Sequence, residues 1–134
     1  MKITRRTDYA IHLLADLSRQ PEKPQGLRNL ADKHKVTYAF ARTVQQGLLK
    51  ASLIKTSRGI NGGIVLAKPL DQITLLEVFE GAQDPLEVTF ENKGSSWCSC
   101  EGDTCFTDDL WLSSKKVLRD HFATITLGDL IDSH

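Results

Sequence analysis

Three cysteines fall within eight residues, Cys98-Ser99-Cys100-Glu101-Gly102-Asp103-Thr104-Cys105. Thiols crowded this way in a cytosolic chain point to metal or redox chemistry rather than to structural disulfides, and an odd number leaves one thiol over if any pair oxidises. Zinc and iron–sulfur clusters each take about four ligands, so three sulfurs require a further donor from elsewhere. Asp8 and His12, four residues apart and therefore on one face of any helix, are candidates, as is Asp108 just beyond the last cysteine. The plain alternative is three exposed thiols in a loop. His34, His121 and His134 read as solvated or helix-end histidines. Gly59-x-x-Gly62-Gly63 matches neither the dinucleotide fingerprint nor the phosphate-binding P-loop, and no Ser-His-Asp or H-E-x-x-H pattern occurs. Nothing here argues for an enzyme.

A second set of residues suits nucleic acid. The formal net charge of zero hides a division: residues 1–68 carry 13 Lys and Arg against 4 Asp and Glu, and residues 69–134 carry 4 against 13. A basic half joined to an acidic half suggests a surface for DNA or an anionic membrane beside a part with another task. Thr37, Tyr38, Arg42, Thr43 and Gln46 occupy the N-terminal part of a predicted helix, the end that reaches the floor of a major groove. Arg42 suits guanine O6 and N7, and Gln46 suits adenine; either can equally hold phosphate. Arg58, beside a glycine-rich turn, sits where the negative potential of a minor groove would draw it.

The elements that must position these groups follow from spacing. At 134 residues, with 40% hydrophobic and 25% charged residues, the chain suits one globular domain with a modest core. It has no apolar run of the roughly 20 residues a membrane crossing needs and no secretory signal, so a cytoplasmic protein is expected. Ala10, Leu13, Leu14 and Leu17 predict a helix from Thr4, with Thr4 or Thr7 as N-cap. Pro21, Pro24 and Gly26 mark a loop. Leu27, Leu30 and Ala31, then Ala41, Val44 and Leu48, predict two helices separated by a break at Val36-Thr37, the pattern of a helix-turn-helix. Leu53–Thr56 and Ile64–Leu66 read as strands around a hairpin. Asn61-Gly62 is its turn signal because both residues accept positive φ, and glycines 59, 62 and 63 would let the hairpin come close to a DNA backbone. Thr74-Leu75-Leu76-Glu77 predicts a capping box opening a new helix, ended by Asp84-Pro85. A long helix from about Thr107 to Phe122 carries Leu110, Trp111, Val117, Leu118 and Phe122, an apolar stripe best covered by a second copy of the chain, with the first helix as the intramolecular alternative. Thr126–Ile131 predicts one more helical turn. The expected fold is mainly α (α+β): a winged helix-turn-helix over residues 1–68, and over 69–134 the cysteine loop and a long C-terminal dimerisation helix, in one compact domain.

The opening Met1-Lys2-Ile3-Thr4-Arg5-Arg6-Thr7-Asp8-Tyr9-Ala10, the wing Arg58-Gly59-x-x-Gly62-Gly63 and the ending Thr126-Leu127-Gly128-Asp129-Leu130 resemble, together with the three-cysteine loop, the Rrf-two family of bacterial transcription regulators of the IscR and NsrR types. The resemblance spans essentially the whole chain. It implies a dimeric winged-helix regulator, many of whose relatives hold a 2Fe–2S or 4Fe–4S cluster that reports on cluster supply, nitric oxide, iron or redox state. It further implies that Cys98, Cys100 and Cys105 are the cluster cysteines and that Arg58 enters the minor groove. Asp8 matches the aspartate that the NsrR type supplies from the other subunit, His12 falls where a related redox sensor has a histidine, and Asp108 stands where the IscR type has a ligating histidine. Two departures stand out. A single residue separates Cys98 from Cys100, a shorter spacing than is usual in the family. Arg42 replaces a glutamate of the IscR type, so a donor stands in place of an acceptor and the operator read should differ.

The functional expectation is a homodimeric repressor or activator that binds a palindromic operator in double-stranded DNA under control of an iron–sulfur cluster. The alternatives are the same DNA-binding module using zinc or reversible cysteine oxidation, and a small iron–sulfur electron carrier. The winged helix and basic half speak against the last.

Overall fold

The computed structural model describes residues 2–83 and 106–133; the three cysteines, Asp84-Pro85 and His134 lie outside them. Helix α1 (Arg5–Arg19) is amphipathic, and its inward stripe of Tyr9, Ala10, Leu13, Leu14 and Leu17 is buried. Thr4 stands at the N-cap position, but its hydroxyl does not cap the helix. It donates instead to Oε1 of Gln83 at 2.9 Å. Thr7 is buried within the first turns and also bonds Gln83.

The two predicted helices follow as α2 (Leu27–Lys33) and α3 (Tyr38–Lys50). Lys35, with φ of 55°, supplies the left-handed residue that reverses the chain between them. Thr37 caps α3, its hydroxyl accepting from the Phe40 amide at 3.1 Å. Ala41, Val44 and Leu48 are buried against the rest of the core, as their spacing predicts.

Strands β1 (Ile54–Ser57) and β2 (Gly63–Leu66) pair antiparallel, from Ile54 opposite Leu66 to Ser57 opposite Gly63. The turn between them differs from the expected one. Asn61 and Gly62 do not carry positive φ; that conformation falls on Gly59, at 115°. The loop is longer than a two-residue turn, and a Gly62 amide bond to the Gly59 carbonyl at 3.0 Å closes it. Gly63 is also occupied within the chain. Gln25 adds a short third rung to β2 through paired bonds with Ile64, of 3.1 and 2.9 Å. A Cβ on Gly63 would lie 2.4 Å from the Gln25 carbonyl oxygen. That glycine admits the backbone of Gln25 from its own chain, not a DNA backbone.

Beyond a single 3₁₀ turn (Leu70–Gln72), α4 (Leu75–Ala82) opens with the predicted capping box, Thr74 and Glu77 each bonding the other's backbone amide. Val78 and Ala82 of α4 and Leu127 of α6 (Leu127–Asp132) join the same core as α1 and α3. Paired bonds between Leu75 and Ile125 and between Leu127 and Ile73 tie the C-terminal segment to the start of α4.

Helix α5 (Phe106–Thr124) lies on α4, not on α1 as the intramolecular alternative had it. Phe122 packs on Phe79 with ring centroids 5.8 Å apart, and Arg119 pairs with Glu80. The predicted apolar stripe divides. Trp111, Leu118 and Phe122 are half-buried, whereas Leu110 and Val117, seven residues apart and so on one face, are exposed.

Candidate functional site

Helix α3 presents two opposite faces. Ala41, Val44 and Leu48 point into the core, which turns Tyr38, Arg42 and Gln46, spaced by four, to solvent. Two of the candidate base readers also serve the helix itself. The Thr37 hydroxyl is the N-cap, and the Thr43 hydroxyl donates to the Ala39 carbonyl at 3.1 Å. Tyr38 is held by a residue that sequence reasoning passed over: the Arg28 guanidinium of α2 lies 4.5 Å from its ring centroid. Arg58 is exposed at the base of the wing loop. The exposed groups of this surface are thus cationic, amide and aromatic, the chemistry that meets phosphates and base edges.

The second candidate face is on α1. Asp8 and His12 are exposed, one turn apart, with Asp8 Oδ2 3.9 Å from His12 Nε2. They border a cavity of about 210 Å³ that is also lined by Arg5, Tyr9, His34, Val36 and Phe40. Val36 and Phe40 belong to the turn into α3 and its first turn, so the candidate ligands and the start of that helix share one wall. Asp108 is exposed near the beginning of α5. Cys98, Cys100 and Cys105 lie outside the described residues. Among those described, no three His, Cys, Asp or Glu side chains converge as a metal site.

Between the two faces lies a cluster missed in the sequence. Asp16 falls in the apolar stripe of α1 and is only 6% exposed. Its Oδ1 accepts from Lys33 Nζ at 2.6 Å and its Oδ2 from His34 Nε2 at 2.6 Å, joining the last turn of α1 to the end of α2. Burial alone raises the Asp16 carboxyl pKa. The hydrogen bonds and charges of Lys33 and His34 outweigh it, and Asp16 is held below the usual carboxylate value. His34 is therefore a hydrogen-bond partner of a buried carboxylate, not the solvated helix-end histidine its position suggested. It also packs 5.4 Å from the His12 ring and edge-on to Tyr9 at 5.8 Å. Burial, with a smaller push from the Asp16 charge, raises the Tyr9 phenol to about 12. Its hydroxyl has no hydrogen-bond partner among the described residues. The signal was present in the sequence: an aspartate one helical turn from Leu13 and beside Leu17 must be paired if that face is buried.

No helix among the described residues is long and apolar enough to cross a membrane. The chain is similar to the transcriptional regulator IscR of Cronobacter sakazakii, 27% identical over 99% of this chain and 82% of the relative. With NsrR of Shouchella clausii it shares 38% identity over 66% of this chain and 60% of the relative. Among solved structures, CymR, the global cysteine regulator of Bacillus subtilis, superposes with a TM-score of 0.75 at 21% identity, covering 100% of this chain and 98% of that one, which shows the winged-helix fold. The sequence model of the Rrf2 family, described as an iron-dependent transcriptional regulator, matches residues 3–133. Matched along nearly its whole length, the chain belongs to the Rrf2 family of transcriptional regulators.

Proposed function

We propose that this regulator is a homodimer that binds a palindromic operator, with its affinity set by an iron–sulfur cluster held by Cys98, Cys100, Cys105 and a fourth donor, Asp8 or His12 of α1 with Asp108 as the alternative. The observation that carries this is the shared cavity wall: Asp8 and His12 stand beside Val36 and Phe40 at the entry to α3. Both candidate donors fit the group chemically, being an oxygen and a nitrogen ligand exposed on one face. When bound, such a cluster supplies a redox- and nitric oxide-sensitive link that can be made or lost.

The protein's own residues do the rest. Tethering the cysteine segment to α1 at Asp8 or His12 constrains α1. The Asp16–Lys33–His34 clamp makes α1 and the end of α2 move together, and α3 begins just after them. Exposed Leu110 and Val117 supply apolar surface for a second copy. Two copies must present their α3 helices about 34–36 Å apart to meet half-sites one turn apart, so a small rotation changes affinity. Thr37, Tyr38, Arg42, Thr43 and Gln46 would face the major groove, and Arg58 the minor groove. Residues 1–68 form the reading part and 69–134 the sensing and pairing part.

The test is anaerobic purification with an absorption spectrum, iron and sulfide assays, and DNA binding before and after cluster removal. Brown protein with both iron and sulfide, and an affinity that changes on removal, supports the proposal. Colourless protein from iron-replete cells without sulfide overturns it. The short Cys98–Cys100 spacing favours, as second reading, zinc or reversible thiol oxidation at the same loop. Zinc without iron, or a thiol count that falls on oxidation, would identify it.

A further inference from the structure

The wing carries an apolar side chain that packs into no part of the core among the described residues. Ile60 is 105% exposed, more than in an extended reference chain. The Gly62 amide is bonded to the Gly59 carbonyl at 3.0 Å, and the space beside Gly62 is filled by the Ser57 carbonyl, 2.4 Å from where a Cβ would sit. Single exposed isoleucines are common on protein surfaces. This one is displayed at the tip of a closed loop, two residues from Arg58 and next to Asn61, on the basic half of the chain.

We propose that Ile60 is a specificity-determining DNA contact: its side chain packs against the deoxyribose walls of a narrow minor groove alongside Arg58. The proposal rests on the wing entering DNA. A narrow A-tract groove brings both sugar walls within reach of one branched side chain and concentrates the negative potential that holds Arg58. A G·C groove is blocked at its floor by the guanine amino group. Ile60 thus favours A-tract over G·C-rich flanks without a hydrogen bond to any base.

The experiment compares the purified protein and its Ile60→Ser and Arg58→Ala variants on an A-tract duplex and a G·C-rich duplex over a range of salt. Ile60→Ser is expected to weaken A-tract binding about fivefold, the loss of part of one buried side chain. It should leave G·C-rich binding and the slope of log affinity against log salt unchanged, since no phosphate contact is lost. Melting temperature should not move, because Ile60 is fully exposed among the described residues. Equal A-tract affinity for Ile60→Ser and the parent would overturn the proposal while leaving the DNA-binding reading intact. Failure of the parent to bind either duplex at low salt would overturn both.

Discussion

Replacing Asp16 by asparagine tests whether α1 is locked to the helix-turn-helix. The carboxylate is 6% exposed and accepts two 2.6 Å bonds, from Lys33 and His34. A bond to a charged partner contributes about 1.5–3 kcal/mol. The Lys33 side chain is 49% exposed and regains water when released, so its share must be discounted. His34 is 22% exposed and loses more. The asparagine amide also turns an N–H toward one of two donors. A net loss of about 2–3 kcal/mol follows. For a chain of this length that is roughly 6–12 °C in Tm, measured by circular dichroism with denaturant titration alongside. The dependence on pH has a fixed sign. The folded-state pKa of Asp16 is lowered, so the stabilisation is complete above the ordinary value of 3.8 and lost as pH falls through the folded value. The gap between parent and variant should therefore narrow below about pH 4. A variant within 0.5 kcal/mol of the parent at neutral pH, or a gap that widens in acid, would refute the reasoning.

Three further outcomes are expected. Thr74→Ala removes half of the capping box of α4 and should cost about 1 kcal/mol in denaturant unfolding. Gly63→Ala drives a Cβ against the Gln25 carbonyl and should cost about 1–3 kcal/mol, with the Gln25 and Ile64 amides exchanging faster with deuterium. Val117→Asp, at an exposed position of α5, should leave secondary structure unchanged and convert the proposed dimer to monomer in sedimentation; a parent that is already monomeric, or a dimer of unchanged affinity, would refute pairing through this surface.

The helices were legible wherever an apolar period coincided with a local stop signal. α3 shows this well: Ala41, Val44 and Leu48 set its inner face and Thr37 its start, so the outward positions of Arg42 and Gln46 followed without tertiary information. The capping box at Thr74 is likewise a local motif and was read correctly. Contacts between elements were not legible. Nothing in the spacing of Arg28 and Tyr38 announces a stacked pair, because it exists only once α2 and α3 cross. The wing turn was misplaced for a related reason. Asn61-Gly62 is a sound signal in an isolated hairpin, but Gln25 docks on β2 and fixes Gly63, and the reversal moves to Gly59. His34 was read by residue type and position, whereas its surroundings are set by the buried Asp16 opposite, which it hydrogen-bonds.

These long-range contacts bear on how far a signal at α1 can travel. A hundredfold change in operator affinity corresponds to a coupling free energy of about 2.7 kcal/mol. A junction that yields under less than this dissipates the signal as local strain. The Asp16 clamp, at about 2–3 kcal/mol, is of the required size. Tyr9 stiffens the same junction, packing on Phe40 at 5.7 Å and on His34 at 5.8 Å. Asp16→Asn should therefore do more than lower stability. With the clamp gone, the protein should still bind DNA through an intact α3, yet the difference in operator affinity with and without the proposed cluster should shrink.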